Sequence, residues 1–430
     1  MFGCVLACLR NRAARSEGPD SKMTTANEHG RRSGIKPFVI VSLAYILISS
    51  SYGLFGAVKD VVAAGIGISM TSLVNLEMVA GFISALAVIP AGLLISRFGP
   101  GRLAWISILI FCIGLFIMAT SSGMTLFATA RIIIGIGSAV AIPLLGQVAR
   151  DTFETRLFVV ATTLVFVSGR AITSVALVVA GLVHETFGWR NLYIIIALLL
   201  LPLVVLAWSC IKPIHLDISH TTRRTMSMAG KLLKNPLVWL CGIASGLTYS
   251  TSSSFGFVWN INLQTALGWD SVPANMLVFI FVLGLIIGGW GAGWLSKRHD
   301  SMRIIFTGLT IGTIMFALIL FVTPFRGQLW YAIPCLLTLG ASFGTATIIM
   351  PYVSSAFAAE TSAVFFAVVT SVRGIVRSLL IGAPLWHLSS EKTWEATHVL
   401  HSLIPYLVAF IIGIGLFGVI AVMMKRMQPV

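Results

Sequence analysis

Five charged residues of the 430-residue chain stand inside long apolar runs, where charge is costly: Glu77, Arg131, Arg170, Arg373 and Arg377. A guanidinium is a planar fork that grips carboxylate or phosphate through two parallel hydrogen bonds. Arg373 and Arg377 fall one helical turn apart on one face. Arg170 lies about 13 residues into its run, roughly 20 Å along a helix, too deep for its head group to snorkel back to water. No acid embedded in the apolar runs can neutralise all three arginines. Together they read as a site for an anion, or as guanidiniums bonded to backbone carbonyls or closing a gate. Glu77 and Arg131 stand at similar depth near the same end of the second and fourth runs. A carboxylate beside an arginine can lose and regain a proton as its surroundings move; the plainer reading is an interface carboxylate wetted by solvent.

Other residues carry weaker chemistry. His387, Glu391, Glu395 and His398 are spaced i, i+4, i+8 and i+11, so a helix would bring them to one face with zinc-ligand chemistry, although solvated loops assemble such sets by accident and no metal is expected. The six cysteines show neither metal-ligand spacing nor a disulfide framework. Serines 49–51 and 252–254, with Tyr52, Tyr249, Trp259 and Asn260, offer hydroxyls, amides and rings to a polar ligand; serine in a membrane helix also bonds its own backbone. No constellation of enzyme chemistry is present, so neither catalysis nor a cofactor is expected.

The elements that must position these residues are helices in lipid. Of the chain, 57% is apolar and 10% charged, with a mean hydropathy of +0.96, against about 25% charged residues in a soluble domain. A net charge of +15 would suggest nucleic acid only on a folded polar surface, and here the basic residues sit in short connections. Since about 20 apolar residues cross the hydrocarbon core, twelve helices are predicted: 37–58, 71–96, 103–121, 126–149, 157–182, 190–211, 236–261, 272–296, 303–323, 328–352, 362–386 and 400–424. Basic residues crowd the N-terminal tail and alternate loops, while the remaining loops hold only Lys59, Arg190, Arg326 and Lys392. Both termini are therefore expected in the cytoplasm. Residues 1–35 read as a basic disordered tail within which Met23 is a second candidate start, and 425–430 as a short C-terminal tail.

The chain also repeats. Ser49 to Phe55 matches Ser252 to Val258 at an offset of 203, Ala91-Gly92 with Arg97 and Arg102 matches Ala292-Gly293 with Arg298 and Arg303 at 201, and Glu154-Thr155 matches Glu360-Thr361 at 206. Three matches in chain order argue for a duplicated six-helix unit. The halves are then 36–211 and 236–424, joined by a cytoplasmic linker over 212–235. Duplicated halves suit a transporter that rocks about a solute site near the bilayer midplane.

Gly92-Leu93-Leu94-Ile95-Ser96-Arg97-Phe98-Gly99-Pro100-Gly101-Arg102 resembles the Gly-x-Leu-x-Asp-Arg-x-Gly-Arg loop signature of the major facilitator superfamily, with one residue inserted. Arg131-Ile132-Ile133-Ile134-Gly135-Ile136-Gly137 resembles that family's Arg-x-x-x-Gly-x-Gly motif. The resemblance covers essentially all of 37–424 and implies two pseudo-symmetric six-helix bundles. It places helices one and seven, with Ser50, Tyr52, Tyr249 and Ser253, against a central cavity, and assigns gating to Gly92, Arg97 and Arg102 and to Gly293, Arg298 and Arg303. Two departures stand out. The acidic loop position is Ser96 in one copy and Lys297 in the other, and the fifth helix lacks the Gly-Pro pair of drug/proton antiporters. The resulting expectation is a multi-pass inner-membrane protein, monomeric, moving a small polar and anionic solute by alternating access with proton coupling or exchange. Efflux of amphipathic compounds, transport of a metal chelate such as a siderophore, and a membrane-embedded sensor are the rival readings.

Overall fold

The computed structural model describes residues 24–211, 227–228, 230–258, 271–321, 329–389 and 404–427. Among them, fourteen α-helices account for the twelve spans: α1 (Thr24–Ile66), α2 (Met70–Phe98), α3 (Pro100–Thr120), α4 (Met124–Ala139), α5 (Ala141–Thr152), α6 (Thr155–Phe187), α7 (Trp189–Cys210), α8 (Pro236–Val258), α9 (Ser271–Leu295), α10 (Ser301–Phe321), α11 (Leu329–Thr345), α12 (Ile349–Ser354), α13 (Ser362–Ser389) and α14 (Ile404–Met427). Ten segments are long and apolar enough to cross a membrane, and two shorter apolar stretches, Pro236–Thr248 and Phe279–Leu295, lie in α8 and α9.

Two of the predicted spans are broken. The fourth is divided at Val140 between α4 and α5, and the tenth passes through a 3₁₀ turn, Ala346–Ile348, between α11 and α12. A proline at the third position of the following helix explains each break. Pro143 and Pro351 have no N–H to offer the carbonyls of Ala139 and Thr347, and each ring crowds the turn before it. The breaks fall at equivalent places in the two halves, since Val140 and Ala346 differ by 206, the repeat offset of the neighbouring helices.

Helix pairing carries the same symmetry. Helix α1 packs on α6 as α8 packs on α13; α3 on α7 as α10 on α14; α2 on α4 as α9 on α11. The halves meet along α2–α13 and α6–α9, which a shift of six spans exchanges. Lipid is as apolar as leucine, so close backbone approach rather than hydrophobic burial holds such seams. At Gly92 a Cβ would strike the Ala367 side chain and come within 2.9 Å of the Ala363 carbonyl oxygen, and at Gly289 it would strike Val167. Glycine lets each pair of helices touch.

Two expectations are corrected near the start of the chain. Residues 24–35, expected as disordered tail, are helical and continue α1 outward, because no proline interrupts Thr24 to Lys36 and Pro37 is accommodated within the helix. Lys59, expected in a loop, lies inside α1 and is buried, because α1 runs on to Ile66.

Candidate functional site

Arg170 of α6 and Arg373 of α13 line one cavity between the halves, with Tyr45, Ile142, Phe166, Ser245, Thr248, Leu285, Phe343, Ala346, Thr347, Ile349 and Met350. Its volume is ≈ 90 Å³, room for about three waters at about 30 Å³ each. Helical spacing supplies the walls: Phe166 and Arg170 are one turn apart on α6, and Ser245 and Thr248 share a face of α8. The breaks in the fourth and tenth spans deliver the rest, because Ile142 follows the first and Ala346, Thr347, Ile349 and Met350 surround the second. No carboxylate is among these lining residues. Arg373 Nη1 donates to the Met350 sulfur at 3.4 Å, a weak and polarisable acceptor.

Arg377, one turn beyond Arg373 on the same face, is exposed. Tyr52, also exposed, pairs with Ser138 Oγ at 3.0 Å. The Ser138 hydroxyl donates to the Gly135 carbonyl, so Tyr52 is the donor of that pair. Nearby, Arg131 and Glu77 form an ion pair, with the arginine side chain 5% exposed and the carboxylate 33%. The Arg131 guanidinium also lies over the Phe55 ring, 4.3 Å from its centroid, a contact that offsets part of its desolvation.

At the end carrying Arg97, Arg102, Arg298 and Arg303, polar bonds join the halves. Gln147 Oε1 accepts from the Ala363 backbone N–H at 3.1 Å while its Nε2 donates to Asp151 at 2.9 Å. Arg150 donates to the Ser355 carbonyl and to Thr155 Oγ1, each at 3.3 Å, and lies over the Phe158 ring. Phe366 of α13 packs edge-on to Phe158 of α6. Sequence reasoning passed over Gln147, Arg150 and Asp151, although an amide followed by an acid four residues on, inside an apolar run, is a usable signal.

Ser50 is buried, and its hydroxyl donates to the Leu47 carbonyl, on its own helix and away from the cavity lining. Gly92 sits in the α2–α13 seam, and a Cβ on Gly293 would meet Thr163 at 3.3 Å across the α6–α9 seam. Arg97 lies over Phe98 and Arg298 over Trp294, while Arg102 and Arg303 are exposed. Among the described residues no carboxylate pairs with these four arginines, in keeping with the replaced acidic positions Ser96 and Lys297. The side chains of Tyr249, Ser253 and His387 lie outside the described residues, as do Trp259, Asn260, Glu391, Glu395 and His398 altogether.

A family model described as Major Facilitator Superfamily matches residues 41–381. The chain belongs to the major facilitator superfamily. Two solved structures share this superfamily fold, each with a TM-score of 0.65. One is the human organic anion transporter MFSD10 (TETRAN), 11% identical, with 89% of this chain and 99% of that chain covered. The other is a single-residue variant of the E. coli fucose:proton symporter FucP, 15% identical, with 89% and 98% covered. Among curated proteins, the membrane sensor protein UhpC of Salmonella typhimurium is 31% identical over 121 residues, and that of Escherichia coli is 31% identical over 117. These matches span about a quarter of each relative's length. The superfamily's twelve-helix, multi-pass membrane architecture is thus the fold of this chain.

Proposed function

We propose that this chain is a secondary active transporter of a small anionic solute, working by alternating access about the cavity between its halves. The observation that carries the reading is the meeting of Arg170 and Arg373, one from each half, in a single cavity with no acid among its described lining residues. Two half-buried guanidiniums that line one cavity at a rocking interface favour an anion bridging them. The two structural neighbours, an organic anion transporter and a proton symporter by name, are compatible with it. The Glu77–Arg131 pair serves as the proton-coupling element, since protonating Glu77 releases Arg131 and ionising it restores the bond. By the distribution of lysine and arginine, the basic end faces the cytoplasm of an inner-membrane protein with both termini inside. On this reading the bonds at Gln147 and Arg150 hold the inner side of this conformer closed. Gly92, Arg97 and Arg102, with Gly293, Arg298 and Arg303, belong to the inner gate.

Arg170→Ala and Arg373→Ala proteins, reconstituted in liposomes, should each lose at least nine-tenths of anion counterflow. Parental flux in both would overturn the reading. The resemblance to two proteins named membrane sensors favours one alternative, a sensor that binds the anion without moving it. A protein that binds anions in an arginine-dependent way yet gives no counterflow is that sensor.

A further inference from the structure

Among the described residues the cavity is rich in charge and poor in other donors. Ser245 Oγ donates to the Gly242 carbonyl at 3.2 Å, and Thr248 Oγ1 is engaged by Ala244 and Ser245 carbonyls at 3.0 and 3.3 Å. Thr347 Oγ1 donates to Gly344 at 2.7 Å. A hydroxyl has one proton, so all three turn only lone pairs toward a solute. Apart from the two guanidiniums and the Tyr45 phenol, the other lining groups bring no donor at all: Ile142, Phe166, Leu285, Phe343, Ala346, Ile349 and Met350. Even the Arg373 fork is turned in part to a thioether.

Such a wall discriminates by the body of the anion as well as by its charge. Hydroxyls on a solute's carbon skeleton that give up water here find acceptors but few donors among the described lining residues, leaving their own oxygens under-bonded. Methyl groups or a ring in the same places bury apolar area against Phe166, Phe343 and Leu285. Resting on the anion-transport reading above, we propose that the solute is a compact organic dicarboxylate with an apolar skeleton, and that sugar phosphates and hydroxy acids are rejected. Its two carboxylates match the two arginines, which stand at different depths: Arg170 is fifteen residues past Thr155 and Arg373 eleven past Ser362, the starts of the corresponding helices.

Two probes isolate the claim. 2,3-Dimethylsuccinate and tartrate share a four-carbon dicarboxylate backbone and charge, and differ by methyl against hydroxyl on the two middle carbons. In the full-length reconstituted protein, dimethylsuccinate should half-saturate binding and counterflow at a concentration at least tenfold below tartrate. Ile142→Gln, which adds a free amide to the wall, should narrow that gap severalfold, and Arg373→Gln should abolish binding of both. Tartrate or glycerol 3-phosphate binding as well as dimethylsuccinate, with the arginine dependence intact, would overturn the skeleton preference and leave the anion site standing. Binding of either probe that survives in both Arg170→Gln and Arg373→Gln would overturn the anion site itself. Binding of none of the three probes overturns both.

Discussion

Gln147→Leu is the perturbation that bears most directly on how the halves are held. In this conformer the Gln147 amide spans the seam, accepting from Ala363 at the start of α13 and donating to Asp151 within its own half. If the halves rock apart at the basic end, the bond to Asp151 survives and the bond to Ala363 does not. The bond to Ala363 therefore sets the difference between states. Losing it removes about 0.5–1.5 kcal/mol and strands a buried backbone donor, bringing the total to about 1–3 kcal/mol. That range shifts a two-state population about 5–150-fold. Spin labels on cysteines at Arg102 and Lys297, exposed positions on opposite halves, would report it as a longer distance gaining population. Asp151→Asn serves as the control, since it leaves the amide's bond to Ala363 in place. A Gln147→Leu distance distribution that coincides with the parent's would refute the reasoning, as would an equal shift in the control.

Three other perturbations have definite outcomes. Glu77→Gln removes the carboxylate from a buried arginine and should destabilise the fold by about 2 kcal/mol, below the 3–5 kcal/mol of a fully buried pair because Glu77 is one-third exposed; proton-driven uptake should vanish while counterflow persists, and retained proton flux would remove Glu77 from coupling. Phe55→Leu, which keeps an apolar filler but deletes the ring face under Arg131, should lower stability by about 1–2 kcal/mol in thermal melts in detergent. Gly92→Val places atoms where Ala367 and the Ala363 carbonyl already are. It should cost about 1–3 kcal/mol and bias the halves apart at the basic end, a bias the same spin-label pair would detect.

How much of this was legible in the residues follows from contrast. Arg170 and Arg373 stand out in the sequence because charge inside an apolar run has few harmless explanations, and the structure brings both to one cavity. Glu77 and Arg131 pair for the same reason. Tyr45, Phe166, Phe343 and Met350, which give that cavity its apolar wall, carry no signal, because an aromatic or a thioether in a lipid-facing helix and one in a solute site look alike in a chain this apolar. Ser50 illustrates the converse. Its type promised ligand chemistry, and its own helix took the hydroxyl. The broken spans were legible and passed over: Pro143 and Pro351 are in plain view, and a proline that deep in a run must leave a carbonyl unmet.

The bond between Gln147 and Ala363 has no twin. At the repeat offset of 206, Gln147 corresponds to Val353, Arg150 to Ala356 and Asp151 to Phe357, so the opposite seam cannot form the same bonds. A bundle with near-symmetric walls is thus latched by unlike devices on its two edges. Where α5 meets α13 a neutral amide holds a backbone N–H, whereas beside α6 and the end of α12 a guanidinium holds the Ser355 carbonyl and covers the Phe158 ring. Forces that part the halves therefore break a neutral bond on one side and a charged one on the other, and salt or a mutation that weakens one edge need not weaken its counterpart.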